Sequence, residues 1–202
     1  MSRRRPLAVA LLMPALVLVG CTAAPGAADD AARPSASTAA DGGDARPATA
    51  DGPHLVVAGL IFDPIADDVD PDAACDGVAG REALEVFDRA PWPELDVSAG
   101  SATMTCGNAS GAGWRHIADG HTGDFDELAD PVGAQWEDVA WFAIDRALEE
   151  PTRVEAYRDD IVNYDVLVEL VDEERVERSW MVTVGFGLGS EQIITAFPDE
   201  QH

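Results

Sequence analysis

The chain has 202 residues, among which 38 aspartates and glutamates outnumber 13 arginines and no lysine is present, so the formal net charge is −25. A field of this sign repels phosphate backbones and anionic lipid surfaces, and it therefore argues against nucleic-acid and membrane-surface roles. The length is enough for one domain with a sizeable hydrophobic core and for additional terminal segments.

The first residues have the order of an export signal. Arg3–Arg5 precede an apolar run, Leu7–Val19, whose length and flanks are typical of a signal peptide and not of a spanning helix. Residues 18–21, Leu-Val-Gly-Cys, resemble the lipobox of bacterial lipoproteins, in which the signal is removed before a cysteine that is then lipidated. We therefore expect residues 1–20 to be a lipoprotein signal peptide. The alternative is an ordinary secreted protein with a cysteine in its signal.

The lipobox resemblance implies that Cys21 becomes the acylated N-terminus, carrying chains such as palmitate. Two or more acyl chains hold a protein firmly on a bilayer, so the expected location is the extracytoplasmic face of the cell membrane. Residues 22–53 are rich in small, polar and proline residues and contain no aromatic side chain. They bury too little apolar surface to offset their ordering entropy, which predicts that residues 21–53 are a lipidated, disordered tether. Residues 54–202 then form a single extracytoplasmic domain.

Two cysteines remain once Cys21 is assigned to lipid. Cys75 and Cys106 are an even pair in an oxidising compartment, and we predict that they form one disulfide. It would close a loop of about 30 residues and contribute about 3 kcal/mol of stability. The alternative is two buried free thiols, and the spacing lacks the CxxC pattern of a zinc site.

The domain opens with an apolar, β-branched run over residues 54–62, which predicts a strand. In the acidic segment that follows, Asp68, Asp70 and Asp72 have the alternation of calcium-loop ligands. However, Ala73 occupies the position of the required glycine, which favours a solvated loop.

The next segments predict both helices and strands. Apolar residues on one face of residues 80–90 predict an amphipathic helix, and residues 94–106 have strand character. Residues 135–150 give the clearest helical periodicity of the chain, ended by Pro151.

The C-terminal part predicts four strands with short connections. Trp180, Val182, Val184 and Phe186 alternate on one face of the third strand, and the short turns favour an antiparallel meander. The expected fold is α+β, with a four-stranded antiparallel sheet, packed helices and one disulfide. The four strands are expected at residues 152–157, 161–171, 175–186 and 192–198.

The segment Gly-Trp-Arg-His-Ile-Ala-Asp-Gly-His contains two of the four histidines. His116 and His121 are five residues apart, about 140° around a helix, and so do not share a face. We expect Gly120 to stop the helix and to let His121 fold back beside His116. The plainest alternative is an ordinary helical turn with Trp114 and Ile117 as core anchors. A metal site from the two histidines and Asp124 is a further alternative.

The order of parts from residue 113 to residue 198 resembles the barnase/EndoU/colicin/RelE-like ribonuclease superfamily of bacterial toxin domains. The histidine pair, a long helix and a sheet whose last strand ends Ile-Ile-Thr-Ala-Phe-Pro carry the resemblance. It implies RNA cleavage without metal or cofactor, proton transfer by His116 or His121 and a hydroxyl from Thr195. No motif fixes the basic residue for the phosphate, for which Arg115 and Arg153 are the first candidates.

Arg178 is a third candidate for the phosphate. Ile193, Thr195 and Phe197 are expected on one face of the last strand, with at least one histidine close to Thr195. The acidity and the expected extracytoplasmic location favour the competing hypothesis, a non-catalytic envelope lipoprotein that binds a protein, a cation or a small ligand. The sequence identifies no protein partner.

Overall fold

The computed structural model describes residues 52–66 and 68–201 of the chain. The predicted signal peptide, Cys21 and the tether up to residue 51 lie outside the described residues. The elements are the strands β1 His54–Val57, β2 Leu60–Ile61, β3 Ala83–Arg89, β4 Gly100–Thr105, β5 Arg153–Arg158, β6 Ile161–Asp172, β7 Arg175–Gly187 and β8 Gln192–Glu200, and the helices α1 Pro71–Cys75, α2 Trp114–Ala129 and α3 Trp136–Glu149, with short 3-10 turns at Pro93–Leu95 and Asp130–Val132.

The sheet has eight strands, and its order is β2-β1-β6-β7-β8-β4-β3, with β5 also paired to β6. The α+β class and the antiparallel meander of β5 to β8 are confirmed. The expectation of a four-stranded sheet is wrong, because β1 to β4 belong to the same sheet. Strand β1 can pair with β6 because β6 is longer than β5. Strand β5 covers residues 161–165 of β6, and β1 takes the remaining edge at residues 168–171.

The prediction of a helix over residues 80–90 is wrong, because residues 83–89 form strand β3. They pair with β4 from Ala83 opposite Thr105 to Arg89 opposite Gly100. Leu84 and Phe87 fit a helical face and a half-buried strand equally well, and the pairing with β4 decides between them. Strand β4 then joins β8 through one parallel pair, which brings this hairpin into the sheet.

The strand predicted over residues 54–62 is a small hairpin. Ala58 and Gly59 have φ values of 48° and 77°, the left-handed conformations of a two-residue hairpin turn. The acidic segment is also more ordered than expected. Asp70 caps α1 through the Ala73 N–H at 3.0 Å, and Asp72 accepts the indole N–H of Trp114 at 2.6 Å.

Helices α2 and α3 supply the apolar face that covers the sheet. The predicted helix over residues 135–150 is confirmed as α3, and Pro151 follows its C-cap residue, Glu150. The predicted core face of β7 is also confirmed, since all four of its side chains are buried. Within the described residues, no helix combines the length and the apolar character needed to cross a bilayer.

The predicted disulfide between Cys75 and Cys106 is present, with the two Cα atoms 5.5 Å apart. It joins the end of α1 to the residue after β4, and both side chains are buried. The loop that follows Cys106 leads directly into α2, so the crosslink lies next to the segment that carries the two histidines.

Candidate functional site

Helix α2 carries the two histidines and runs without a break through Gly120, so the expected helix stop there is wrong. A glycine inside a helix costs about 1 kcal/mol relative to alanine. Burial of Ile117 and Phe125, before and after the glycine, stabilises the continuous helix. The 140° between His116 and His121 does not keep their rings apart, because the centroids lie 6.0 Å from each other, edge to face.

Both imidazoles are hydrogen-bonded through Nδ1. His116 Nδ1 lies 2.9 Å from the carbonyl oxygen of Ala109, and His121 Nδ1 lies 3.0 Å from a carboxylate oxygen of Asp124. A carbonyl and a carboxylate oxygen only accept, so Nδ1 donates in each case. The lone pair of each neutral ring is therefore on Nε2, the atom left for proton transfer.

The packing of His121 brings the histidine pair to the last strand. Its ring stacks on Phe197 at a centroid distance of 5.4 Å and an angle of 30°. The start of α2 is fixed to the same strand by the Gly113 N–H, which donates to the Ile194 carbonyl at 3.1 Å. Gly113 has a φ of 82°, and a Cβ there would lie 2.5 Å from the carbonyl oxygen of Thr105, so glycine is needed for this approach.

Strand β8 contains a bulge that corrects the expected faces. Gly185 is opposite Thr195 and Phe186 is opposite Ile193, which leaves Ile194 as the extra residue. Ile193 is fully buried in the core and so does not share a face with Thr195. The hydroxyl oxygen of Thr195 is buried and has no hydrogen-bond partner among the described residues.

A cavity of about 250 Å³, which we call the cleft, lies beside Thr195. Its floor includes Gly185, where an added Cβ would lie 3.3 Å from the Thr195 methyl group. The missing side chain at this position leaves room above the sheet. The cleft is lined by Tyr157, Arg158, Ile161, Asn163, Gly185, Ile194, Thr195 and Phe197.

Arg115, the first arginine candidate, binds backbone carbonyls beside the disulfide. Its guanidinium donates to the carbonyl oxygens of Cys75, of Val78 at 2.8 Å and of Gly107 at 3.1 Å. It therefore ties α1 and the loop before α2 together, and Arg115 does not line the cleft.

Arg153 and Arg178 are held by carboxylates. Arg153 binds the buried Asp165 through two nitrogen atoms at 2.9 and 2.8 Å, and this hydrogen bond raises the pKa of the guanidinium. Arg178 binds Glu200 at 2.7 Å, which likewise raises its pKa. Neither arginine lines the cleft.

Arg158 is the cleft arginine that the sequence analysis missed. It lies at the end of β5 with its guanidinium 4.9 Å from the ring centre of Tyr157, and it makes no ion pair within the described part of the chain. In the sequence, residues 158–160, Arg-Asp-Asp, are only the short turn between two predicted strands. The register of β5 on β6 places the arginine at the cleft.

The hypothesis of a metal site at His116, His121 and Asp124 gains no support. Across residues 52–66 and 68–201, no group of three histidine, cysteine or acidic side chains is arranged to hold a metal ion.

No protein-family model, curated protein or solved structure matches this chain. The candidate site is therefore defined by its own residues. Neither histidine lines the cleft. The pair is joined to it through the Phe197 ring, which stacks on His121 and lines the cleft together with Thr195 and Arg158.

Proposed function

We propose that the chain is a lipid-anchored bacterial surface lipoprotein whose cleft cleaves RNA in the manner of the metal-independent toxin-type ribonucleases. The stack of His121 on Phe197 is the observation that carries the proposal, because it joins the histidine pair to the strand of Thr195. The order of α2, α3 and the meander of β5 to β8 supports the same proposal.

The proposed chemistry is the attack of a ribose 2′-oxygen on the adjacent phosphorus. One histidine takes the 2′-OH proton on Nε2 while the new P–O bond forms. The P–O5′ bond breaks, and the second histidine, in its protonated form, gives its proton to the leaving 5′-oxygen. The products are a 2′,3′-cyclic phosphate and a 5′-hydroxyl. Thr195 and Arg158 supply donors for the charge on the phosphoryl oxygens.

The test is cleavage of single-stranded RNA by the full-length chain purified in detergent, with detection of the cyclic-phosphate ends. His116→Ala and His121→Ala should each lower the rate about 10²- to 10⁴-fold, the usual effect of a general acid or base. His54→Ala is the matched control, because His54 lies on β1, which β6 and β7 separate from β8, and its Nδ1 is hydrogen-bonded to the Gly52 carbonyl. Absence of cleavage by the wild-type chain, or cleavage that both the His116 and the His121 variants retain, contradicts the proposal.

A second candidate function is ligand binding without catalysis, at the membrane-anchored surface. The arrangement of the arginines favours it, because Arg115, Arg153 and Arg178 are all engaged in the fold. The net charge of −25 also opposes RNA binding. The same assay separates the two functions, since a binding module leaves the RNA intact in both wild-type and variant chains.

The proposed anchor is tested separately. Cys21→Ser removes the thiol that would carry the acyl chains, and we expect the variant protein to appear in the medium and not in the membrane fraction. Persistence of the variant in a detergent-extractable membrane fraction contradicts the lipoprotein proposal and leaves the cleft proposal standing.

A further inference from the structure

A second concave surface, which we call the β3–α3 groove, lies between strand β3 and helix α3. Its volume is about 430 Å³. Glu85 and Asp88 contribute to one wall, and Trp141, Phe142 and Asp145 contribute to the other. None of these residues lines the cleft, so the groove is a separate site.

The β3 wall of the groove is the open edge of the sheet. Strand β3 is the last strand in the sheet order and has β4 as its one neighbour in the described part of the chain. Thr103, which is opposite Val86, donates its N–H to Glu191 on its other side, so Val86 is in a non-hydrogen-bonded pair. The backbone groups of Val86 therefore face away from β4, towards the open edge.

The observed hydrogen bonds agree with backbone groups that face the open edge at every second residue. The Val86 N–H is bonded to the carboxylate of its neighbour Glu85 at 2.9 Å, and the Ala90 N–H is bonded to the Leu148 carbonyl of α3 at 2.8 Å. Asp88 lies midway between them, so its N–H and carbonyl also face the groove. An exposed row of strand donors and acceptors is a template for one more strand.

The rest of the groove is apolar, with Ala66 and Val69 beside the aromatic side chains of Phe87, Trp141 and Phe142. The ring centroids of Phe87 and Trp141 are 5.3 Å apart, and those of Phe142 and Phe62 are 5.5 Å apart. Trp141 and Phe142 are only partly buried, and Val86 on the edge is 55% exposed. Apolar surface of this kind beside an open strand edge can accept the alternate side chains of an extended segment.

Carboxylates surround this apolar surface. Glu85 and Asp88 are exposed and make no ion pair within the described residues. Asp145 and Glu149 share one cation, Arg146. The groove is therefore negative, and the face of Trp141 is a favourable site for a guanidinium or an ammonium group.

We propose that the β3–α3 groove binds an extended basic segment of a partner protein, which adds a strand to the open edge of β3. Residues 85–88 cover about 13 Å at about 3.3 Å per residue, so three or four residues of the partner are held. Main-chain hydrogen bonds to the Val86 carbonyl and to the N–H and carbonyl of Asp88 give the segment its register. Arginine or lysine side chains at alternate positions, on the face that Glu85 shares with Phe87, reach Glu85, Asp145 and the Trp141 face.

The experiment is calorimetric titration of the full-length chain with a short, capped synthetic peptide of alternating arginine and valine. Saturable binding with one site is expected, and about a tenfold loss is expected when the arginines are replaced by glutamate. A third peptide has the same basic sequence, but the backbone nitrogens that would donate to β3 are methylated. It keeps every charge but cannot complete the strand, and it should also bind about tenfold more weakly.

The protein side of the test is the double variant Glu85→Gln, Asp88→Asn, which keeps an acceptor for the Val86 N–H. This variant should bind the basic peptide about tenfold more weakly than the wild-type chain does. The control Asp159→Asn, Glu174→Gln removes the same charge from two hairpin turns outside the groove, and a change of less than about twofold is expected.

Four results overturn the proposal. They are no saturable binding, equal binding of the basic and acidic peptides, equal binding of the methylated peptide, and equal weakening by the groove and control variants. If the wild-type chain self-associates and the groove variant does not, the edge binds a second copy of the chain. Repulsion between two negative edges opposes this result.

Discussion

The cleft and the β3–α3 groove lie in one domain but use charge in opposite ways. The cleft contains Arg158, and its Phe197 wall packs against His121, whereas the groove is surrounded by carboxylates. Within the described residues, Arg153 and Arg178 pair with carboxylates, whereas Arg158 makes no ion pair and lines the cleft. The groove therefore depends on its strand edge and aromatic wall, while the cleft depends on an arginine that lines it and is not held by a carboxylate of the described chain.

Arg115 and Arg158 show a similar contrast. Arg115 binds three carbonyl oxygens around the disulfide, and Arg158 binds no carboxylate within the described residues. One is a structural clamp, and the other is available for an anionic ligand. Substitutions that separate stability from activity will test this difference.

The largest effect is expected from removal of the disulfide. The double variant Cys75→Ala, Cys106→Ala should lose about 3 kcal/mol of stability, because the bond closes a loop that spans 31 residues. The Tm measured by circular dichroism should fall by about 10 °C. RNA cleavage should also fall, since the loop after Cys106 supplies the Ala109 carbonyl that holds His116. An unchanged Tm would show that the bond does not stabilise this region.

The second prediction compares the two arginines directly. Arg115→Met should destabilise the chain by about 2–3 kcal/mol in urea unfolding, because three carbonyl oxygens lose a charged donor. Arg158→Met should change stability by less than about 0.5 kcal/mol, as is usual for an exposed substitution without a structural partner. When RNA cleavage is measured well below the Tm of each variant, Arg158→Met should lose more activity than Arg115→Met. Equal losses of stability would contradict the division of roles.

The third prediction uses two threonines on the sheet. Thr195→Val replaces a buried hydroxyl that has no partner within the described residues, so stability should stay the same or rise by about 1 kcal/mol. Thr183→Val is the matched control, because the Thr183 hydroxyl donates to the buried Asp165 at 2.7 Å. Its loss should cost about 1–2 kcal/mol. A Thr195 variant that is stable but cleaves RNA slowly identifies a functional hydroxyl, and a destabilised one indicates a structural role.

Long elements with one clear period could be predicted from the sequence. Helix α3 repeats its apolar residues over four turns, and β7 alternates Trp180, Val182, Val184 and Phe186 without interruption. Strand β3 could not be predicted, because its few apolar residues fit both periods and its pairing with β4 is a tertiary contact. The single parallel pair that joins β4 to β8 also could not be predicted, because it leaves no local pattern in the sequence.

The candidate site divides in the same way. The resemblance pointed to His116, His121 and Thr195, and local chemistry pointed to the arginines beside them. Which arginine is engaged depends on register, since Arg153 lies directly opposite Asp165 on β6 and Arg158 lies beyond that pair. The bulge at Ile194, which turns Thr195 away from the core, also depends on pairing with β7.

The smallest effect is expected at Glu137, at the start of α3. Burial raises the pKa of this carboxyl above 4.5, and the nearby carboxylates Asp72, Asp138 and Asp126 add to the shift. Between the unfolded and the raised folded pKa, the native chain holds a proton that the unfolded chain has released. Stability therefore falls as the pH rises through this window, and the full cost remains above it.

Glu137→Gln removes that cost, so the variant should be more stable than wild type by less than about 1 kcal/mol at about pH 7, where solvent screening limits the effect. The gain should disappear at about pH 3.5, because both states of the wild-type chain are then protonated at this residue. Glu94→Gln, at an exposed glutamate of the 3-10 turn Pro93–Leu95, corrects for the general loss of one negative charge. Thermal unfolding at the two pH values is the measurement. A gain that persists at low pH, or one that the Glu94 variant matches, would assign the effect to overall acidity and not to the site at Glu137.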